Sequence, residues 1–304
     1  MLHFLKLIRV GNLIFIALTM FLIKYGLFEP FEVAITLNLF GFSMLVLAVV
    51  CVAASGYVIN DIFDVSADLK NKPKRTIIGN QISEKTAYRL FFILNIIGVG
   101  LGFYLSNMIG RPGFVAFFIF GSAILYIYNS QFQQSILIGN ILVSIIVGLI
   151  PVGVGLYDLL PAITPQNQQT QSVIFSILID YSIFAFLINL LREIVKDQED
   201  IDGDYNAGYK TLPIVLGKKR TNRILFVAAL LPLGFLIYYI YQYLFENVSA
   251  VVYALFLLVA PLLFFLVNIW TAQKKSEFTR LSLILKFVLF FGLISIGLLQ
   301  FILL

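Results

Sequence analysis

The sequence is short of charge. Of its 304 residues only 12% are Asp, Glu, Lys or Arg, about half the roughly 25% with which a water-soluble domain covers its surface. A soluble fold is excluded. The chain also has one cysteine, Cys51, and one histidine, His3. These exclude a disulfide framework, a Cys/His zinc site and a Cys–His or Ser–His catalytic pair. Chemistry must therefore use carboxylates, amides, lysine, arginine or tyrosine, and a metal must take oxygen ligands. What the chain has in abundance is apolar sequence: 60% hydrophobic residues and a mean hydropathy of +0.97. The apolar residues come in blocks of about 20, the length that spans a hydrocarbon core.

Nine such blocks are legible, near 9–28, 37–59, 87–106, 113–131, 136–157, 172–192, 221–243, 249–270 and 281–303. Backbone groups in lipid must be satisfied within their own segment, so each block predicts a helix. The expected fold is an all-α bundle of about nine transmembrane helices with a central cavity opening near the cytoplasmic side. It is read as one domain, 1–304, with a weak two-half duplication at about 1–135 and 136–304. Arg9 precedes a full-length span with no small-residue cleavage site, so the first segment is expected to be retained. With a cytoplasmic N-terminus, 19 of the 21 basic residues fall inside and only Lys24 and Arg111 outside. The excess of positive charge thus follows from topology and anionic lipids, without nucleic acid. The expected location is a cell inner membrane, crossed many times, with the loops of the site in the cytoplasm.

Nine of the 16 acidic residues lie in two short segments. Asp61, Asp64 and Asp68 follow the second block; Glu193, Asp197, Glu199, Asp200, Asp202 and Asp204 follow the sixth. Asp61, Asp64 and Asp68 step by 3 then 4, as do Asp197, Asp200 and Asp204, each displaced by 136 residues from its counterpart. On a helix these steps share one face. Like-charged faces meeting near a membrane need cations. Mg²⁺, which joins carboxylates to substrate phosphates, suits them. The expected arrangement is two acidic helices across a diphosphate, with Lys70, Lys72, Lys74 and Arg75 beside the first and Lys196 and Lys210 near the second. Asp180, inside the sixth block, has no partner that the sequence names.

The segment Asn60-Asp61-Ile62-Phe63-Asp64-Val65-Ser66-Ala67-Asp68 resembles the NDxxDxxxD motif of the UbiA-type intramembrane prenyltransferases, and Asp200 to Asp204 resembles that family's second motif, DxxxD. The resemblance covers essentially the whole chain. It includes Arg9 and Asn12 in an RxxN pattern, then Tyr128, Gly139 and Asn140, and Gly208, Leu212 and Pro213. The stretch Arg192 to Asp200 looks most like the ether-lipid branch that contains digeranylgeranylglyceryl phosphate synthase. One position departs: Gln133 stands where many members carry a lysine.

The resemblance implies Mg²⁺-dependent transfer of a prenyl group from a polyprenyl diphosphate to a lipophilic acceptor in the membrane. It implies Asp64, Asp68, Asp200 and Asp204 as catalytic residues, and Asn60, Asp61, Asp64, Asp68, Asp197, Asp200 and Asp204 as the metal-binding set. Arg9, Asn12, Lys74, Arg75, Tyr128, Lys196 and Lys210 are expected to bind diphosphate or acceptor. The acceptor is expected to be a geranylgeranylglyceryl phosphate-like ether-lipid precursor, with an aromatic quinone or haem precursor as the alternative. A secondary transporter or cation channel is the competing class, although it would place its carboxylates near the midplane.

Overall fold

A computed structural model describes residues 2–71 and 76–303, with side chains described for residues 3–65 and 76–301. Eleven helices are used below. They are α1 Leu2–Leu7, α2 Val10–Phe28, α3 Leu39–Asn71, α4 Glu84–Met108, α5 Pro112–Phe132, α6 Ile138–Ala162, α7 Gln168–Asn206, α8 Leu212–Leu216, α9 Lys218–Leu244, α10 Val248–Ile269 and α11 Lys275–Leu303. Among the described residues nine of these, all but α1 and α8, are long and apolar enough to cross a membrane. That matches the nine blocks, and the bounds differ most at two helices. Helices α3 and α7 do not stop where the apolar sequence stops, because their polar ends still satisfy the backbone as helix. Both acidic segments are therefore carried on helix, not on loops.

Local sequence explains the helix ends. Ser83 caps α4, its hydroxyl accepting the Thr86 N–H at 3.2 Å, and Asn247 caps α10 by accepting from Ala250 N–H at 3.0 Å. Gly208, at φ +78°, closes the end of α7 in a conformation that favours glycine. Between α1 and α2 the helix breaks at Arg9, which takes a left-handed φ of 50°. That conformation costs a non-glycine residue on the order of 1–2 kcal/mol.

The chain divides into two compact units, one of residues 1–24, 32–133 and 150–178, the other of 25–31, 134–149 and 179–304. In the first, Leu13, Val58, Ile59, Ile62 and Phe91 form a buried core. Helices α3 and α4 touch at Gly98, where a Cβ would meet Val52 Cγ2 at 2.7 Å and the Ala48 carbonyl at 3.0 Å. Small residues permit such close approach in membranes, where van der Waals packing holds helices together. At its far end the unit encloses an ion pair. Lys24 Nζ lies 2.7 Å from Asp158 Oδ2 and donates to the Leu37 carbonyl at 2.7 Å, while Asp158 Oδ1 accepts from the Leu37 and Thr36 N–H groups.

In the second unit the buried core includes Ile188, Leu191, Val195, Leu225, Phe265, Phe278 and Leu285. Helices α6 and α7 run antiparallel, meeting at Gly148, where a Cβ would come 2.9 Å from the Ser182 carbonyl. Asn189 Nδ2 then donates to Ser144 Oγ at 3.3 Å. Many large apolar side chains point outward, Ile96 and Val267 among them, as suits a surface in contact with lipid.

Candidate active site

In the first unit α3 and α5 are parallel and hold a constant register of 69 residues: Gly56 faces Leu125, Asn60 faces Asn129 and Asp64 faces Gln133. Each partner recurs four residues on, so one face of each helix carries the ladder. A wider helical turn over Tyr128–Phe132 ends α5 and precedes Gln133, whose N–H returns to the Tyr128 carbonyl at 2.8 Å. Gln133 Nε2 donates to both oxygens of Asp64, at 2.9 Å each. Asn60 Nδ2 donates to Asp64 Oδ2 at 3.2 Å and to Asn129 Oδ1 at 3.0 Å. Asn129, buried, donates onward to the Leu125 carbonyl. The other end of the Asn60 amide, Oδ1, accepts from Arg9 Nη2 at 2.7 Å. Arg9 also reaches Asp61 Oδ1 at 3.1 Å and lies over the Tyr57 ring, 5.0 Å from its centroid. The break at Arg9 thus puts its guanidinium on the motif from outside α3.

The second motif, in the other unit, is built differently. The α6–α7 ladder of Gly148/Ser182 and Ser144/Asn189 continues to Asn140, whose Nδ2 donates to Asp197 Oδ2 at 2.8 Å. The carboxylates of Asp204 and Glu193 act on Asp197 as like charges and Lys196 as an opposite one. Lys196 is held 3.2 Å from Glu193, which also takes Arg192 at 2.9 Å. Asp200 pairs with Lys275 of α11 at 3.0 Å, both well exposed. Gln198 faces the other way, buried, donating to Asn222 Oδ1 at 2.7 Å and fixing the helix to α9.

The structure therefore gathers Arg9, Asn60, Asp61 and Asp64 in one hydrogen-bonded group, and associates Asp197 with Asp204. It places Asp200 against Lys275, a contact that the spacing did not reveal. Asn12 is exposed one turn beyond Arg9, its backbone N–H on the Arg9 carbonyl at 2.8 Å. Tyr128 lies half-buried in the wide turn, and Lys210 is exposed past the end of α7, its N–H on the Gln134 carbonyl at 3.0 Å. The Asp68 side chain, Lys74 and Arg75 lie outside the described residues. Sequence reasoning missed Asn129 and Lys275 and treated Gln133 only as a missing lysine. The signal for Asn129 and Gln133 was present: they repeat the four-residue step of Asn60 and Asp64.

Among the described residues no group of three or more His, Cys, Asp and Glu side chains stands ready around a metal position. The donor chemistry nevertheless fits a hard cation such as Mg²⁺. Every candidate ligand is oxygen, and the Gln133 and Asn60 amides orient Asp64 without adding a charge. Asp197 stands among like charges that a cation relieves.

Comparison with known proteins follows the same lines. The family model of the UbiA prenyltransferase family matches residues 12–294. A digeranylgeranylglyceryl phosphate synthase of Methanobrevibacter smithii is 30% identical over 292 residues, covering 94% of this chain and 96% of the relative. The enzyme of that name from Methanococcoides burtonii is 30% identical, covering 96% and 97%. Among solved structures, one of a digeranylgeranylglyceryl phosphate synthase in membranes shares the fold with a TM-score of 0.66 at 24% identity, covering 97% of this chain and 96% of that one. A UbiA homolog from Archaeoglobus fulgidus bound to GPP and Mg²⁺ has a TM-score of 0.59 at 17% identity, covering 97% and 99%. The chain is an integral, multi-pass membrane protein and belongs to the UbiA prenyltransferase family.

Proposed function

We propose that this protein transfers a prenyl group from a polyprenyl diphosphate to a geranylgeranylglyceryl phosphate-like ether-lipid precursor, with Mg²⁺ as cofactor. The acceptor assignment is supported by the relatives of that activity that match nearly the whole chain. The donor and the ion are supported by the family and by the homolog bound to GPP and Mg²⁺. The observation that carries the reading is Asp64 held at both oxygens by Gln133 and again by Asn60. Neutral amides hold the carboxylate in one orientation, and its oxygens are of the kind a hard cation takes.

In this reading Asn60, Asp61, Asp64, Asp68, Asp197, Asp200 and Asp204 hold the metal, with Asp64, Asp68, Asp200 and Asp204 essential to turnover. Bound Mg²⁺ supplies positive charge to the diphosphate as negative charge develops on it. Gln133 and Asn60 keep Asp64 in one rotamer, and Asn140 does the same for Asp197, so little reorganisation is needed at reaction. Arg9 uses Nη2 on Asn60 and Asp61 and has further N–H donors to offer a phosphate oxygen. Asn12, Lys74, Arg75, Tyr128, Lys196 and Lys210 are assigned to diphosphate or acceptor. The allylic C–O bond breaks, and diphosphate leaves with the electron pair. The acceptor hydroxyl then forms the new C–O bond and gives up its proton. Apolar surroundings keep water from the allylic cation. We place the N-terminus and both motifs on the cytoplasmic side of the cell inner membrane, on the strength of the basic-residue asymmetry.

The test is to incubate membranes containing the protein with labelled geranylgeranyl diphosphate and a panel of acceptors, with and without Mg²⁺. Label is expected in geranylgeranylglyceryl phosphate, dependent on Mg²⁺. Label only in aromatic acceptors would replace the acceptor assignment, and no release of diphosphate with any acceptor would sink the reading as an enzyme.

A further inference from the structure

A second chemical feature lies in the 179–304 unit, away from that unit's acidic motif. Helices α7, α9, α10 and α11 enclose a partly open cavity of about 70 Å³. Its walls include Asp180 and five aromatic rings, Tyr181, Phe184, Phe235, Tyr239 and Tyr253. Among the described residues no lysine or arginine lines it. Asp180 precedes Asp197 by 17 residues on α7, a separation of about 25 Å at the helical rise. The cavity is therefore remote from the second motif.

The polar groups in its walls are not equivalent. The Tyr181 hydroxyl shares a hydrogen bond with Ser295 Oγ at 2.8 Å, and the Tyr253 hydroxyl donates to the Phe291 carbonyl at 2.7 Å. Those two are satisfied within the protein. Asp180 has no hydrogen bond or ion pair among the described residues. Its electrostatic neighbours are the phenol groups of Tyr181 and Tyr239. A carboxylate inside a membrane-spanning helix is expensive and persists where it faces a partner or a functional cavity. Among the described residues no cation pairs with Asp180, and the surrounding aromatic faces attract one.

We propose that this cavity is a binding site for the ammonium head of a membrane amphiphile. The ammonium pairs with Asp180 and lies against the faces of Tyr239 and its neighbours. The alkyl part leaves along the apolar wall of Leu236, Ile240 and Leu258. The volume holds roughly five to seven water-sized groups, which admits a primary ammonium with its adjoining carbons and excludes a whole lipid. A neutral alcohol of the same length lacks the charge that the carboxylate calls for, and a short alkylammonium lacks the apolar contact.

The experiment uses the full-length protein in membranes and a photoreactive dodecylammonium probe, beside its dodecanol counterpart. The ammonium probe is expected to label residues 179–190 and 235–258 at least tenfold more than the alcohol does. Unlabelled dodecylammonium should compete and butylammonium should not. Asp180→Asn should lose at least tenfold of the labelling, Asp180→Glu should restore most of it, and both should keep wild-type prenyl transfer. Equal labelling by ammonium and alcohol in the unaltered protein, or undiminished labelling of Asp180→Asn, would overturn the proposal. Competition by butylammonium would overturn the amphiphile, and loss of prenyl transfer in Asp180→Asn would overturn its separation from the main site.

Discussion

The first unit holds carboxylates at both its ends, and the two are treated in opposite ways. At one end Asp158 is fully buried and closed: Lys24 neutralises it, two backbone N–H groups satisfy its other oxygen, and Lys24 itself reaches the Leu37 carbonyl and the Phe42 ring. At the other end Asp64 is half-buried and is oriented by the neutral amides of Gln133 and Asn60. A carboxylate closed in by a buried lysine and two backbone N–H groups is architecture; one oriented by amides at the motif is, in the proposed reaction, held for a metal ion. The second motif extends the contrast. Asp197 has one amide and like-charged neighbours, while Asp200 has an exposed lysine.

Five substitutions break or sharpen this comparison. The largest effect is expected at the closed end. Lys24→Met leaves Asp158 buried without its cation, a loss of about 3–5 kcal/mol. It should appear as a large drop in thermal stability in detergent, with activity per folded molecule preserved. If Lys24→Met unfolds like wild type, the ion pair is not structural. Next comes Asp64→Ala, which should lower prenyl transfer by about 10²–10³-fold with the fold intact, the scale of removing one preorganised electrostatic group. Retained turnover would remove Asp64 from the metal set. Gln133→Ala and Asn140→Ala should each cost about 10–100-fold, mostly as a raised Mg²⁺ requirement, the usual size for partners that orient a ligand. A Mg²⁺ titration separates this from a loss of substrate binding, in which the Mg²⁺ midpoint would not move. The smallest effect belongs to Lys275→Ala. The pair with Asp200 is exposed, with side chains 63% and 42% accessible, and exposed pairs contribute up to about 1 kcal/mol. Stability should change by no more than that, and a larger loss would make Lys275 part of the framework.

Gln133 shows how far sequence alone reaches. Read along the chain it is a lysine that is missing, a deficit of charge. In the structure its amide reaches both oxygens of Asp64, an action that no composition or local spacing requires. The reason is geometric. The 69-residue register between α3 and α5 exists only once Gly56 has let the Leu125 side chain approach, a Cβ there meeting it at 2.9 Å. The same holds for Asp200. Its spacing from Asp197 and Asp204 places all three on one helix face in principle, but Lys275 belongs to a helix 75 residues further on.

Hydropathy and spacing determined the number of spans, the membrane as solvent and the two acidic clusters. Each of these depends on residues close together in the chain, where helical periodicity and the thickness of a bilayer are sufficient physics. Packing between helices alone decided which amide orients which carboxylate. It also closed Lys24 onto Asp158 and left Asp180 facing a cavity. Those outcomes depend on side chains from distant segments meeting within hydrogen-bond reach, a distance set by close-packed interiors and not by the local pattern.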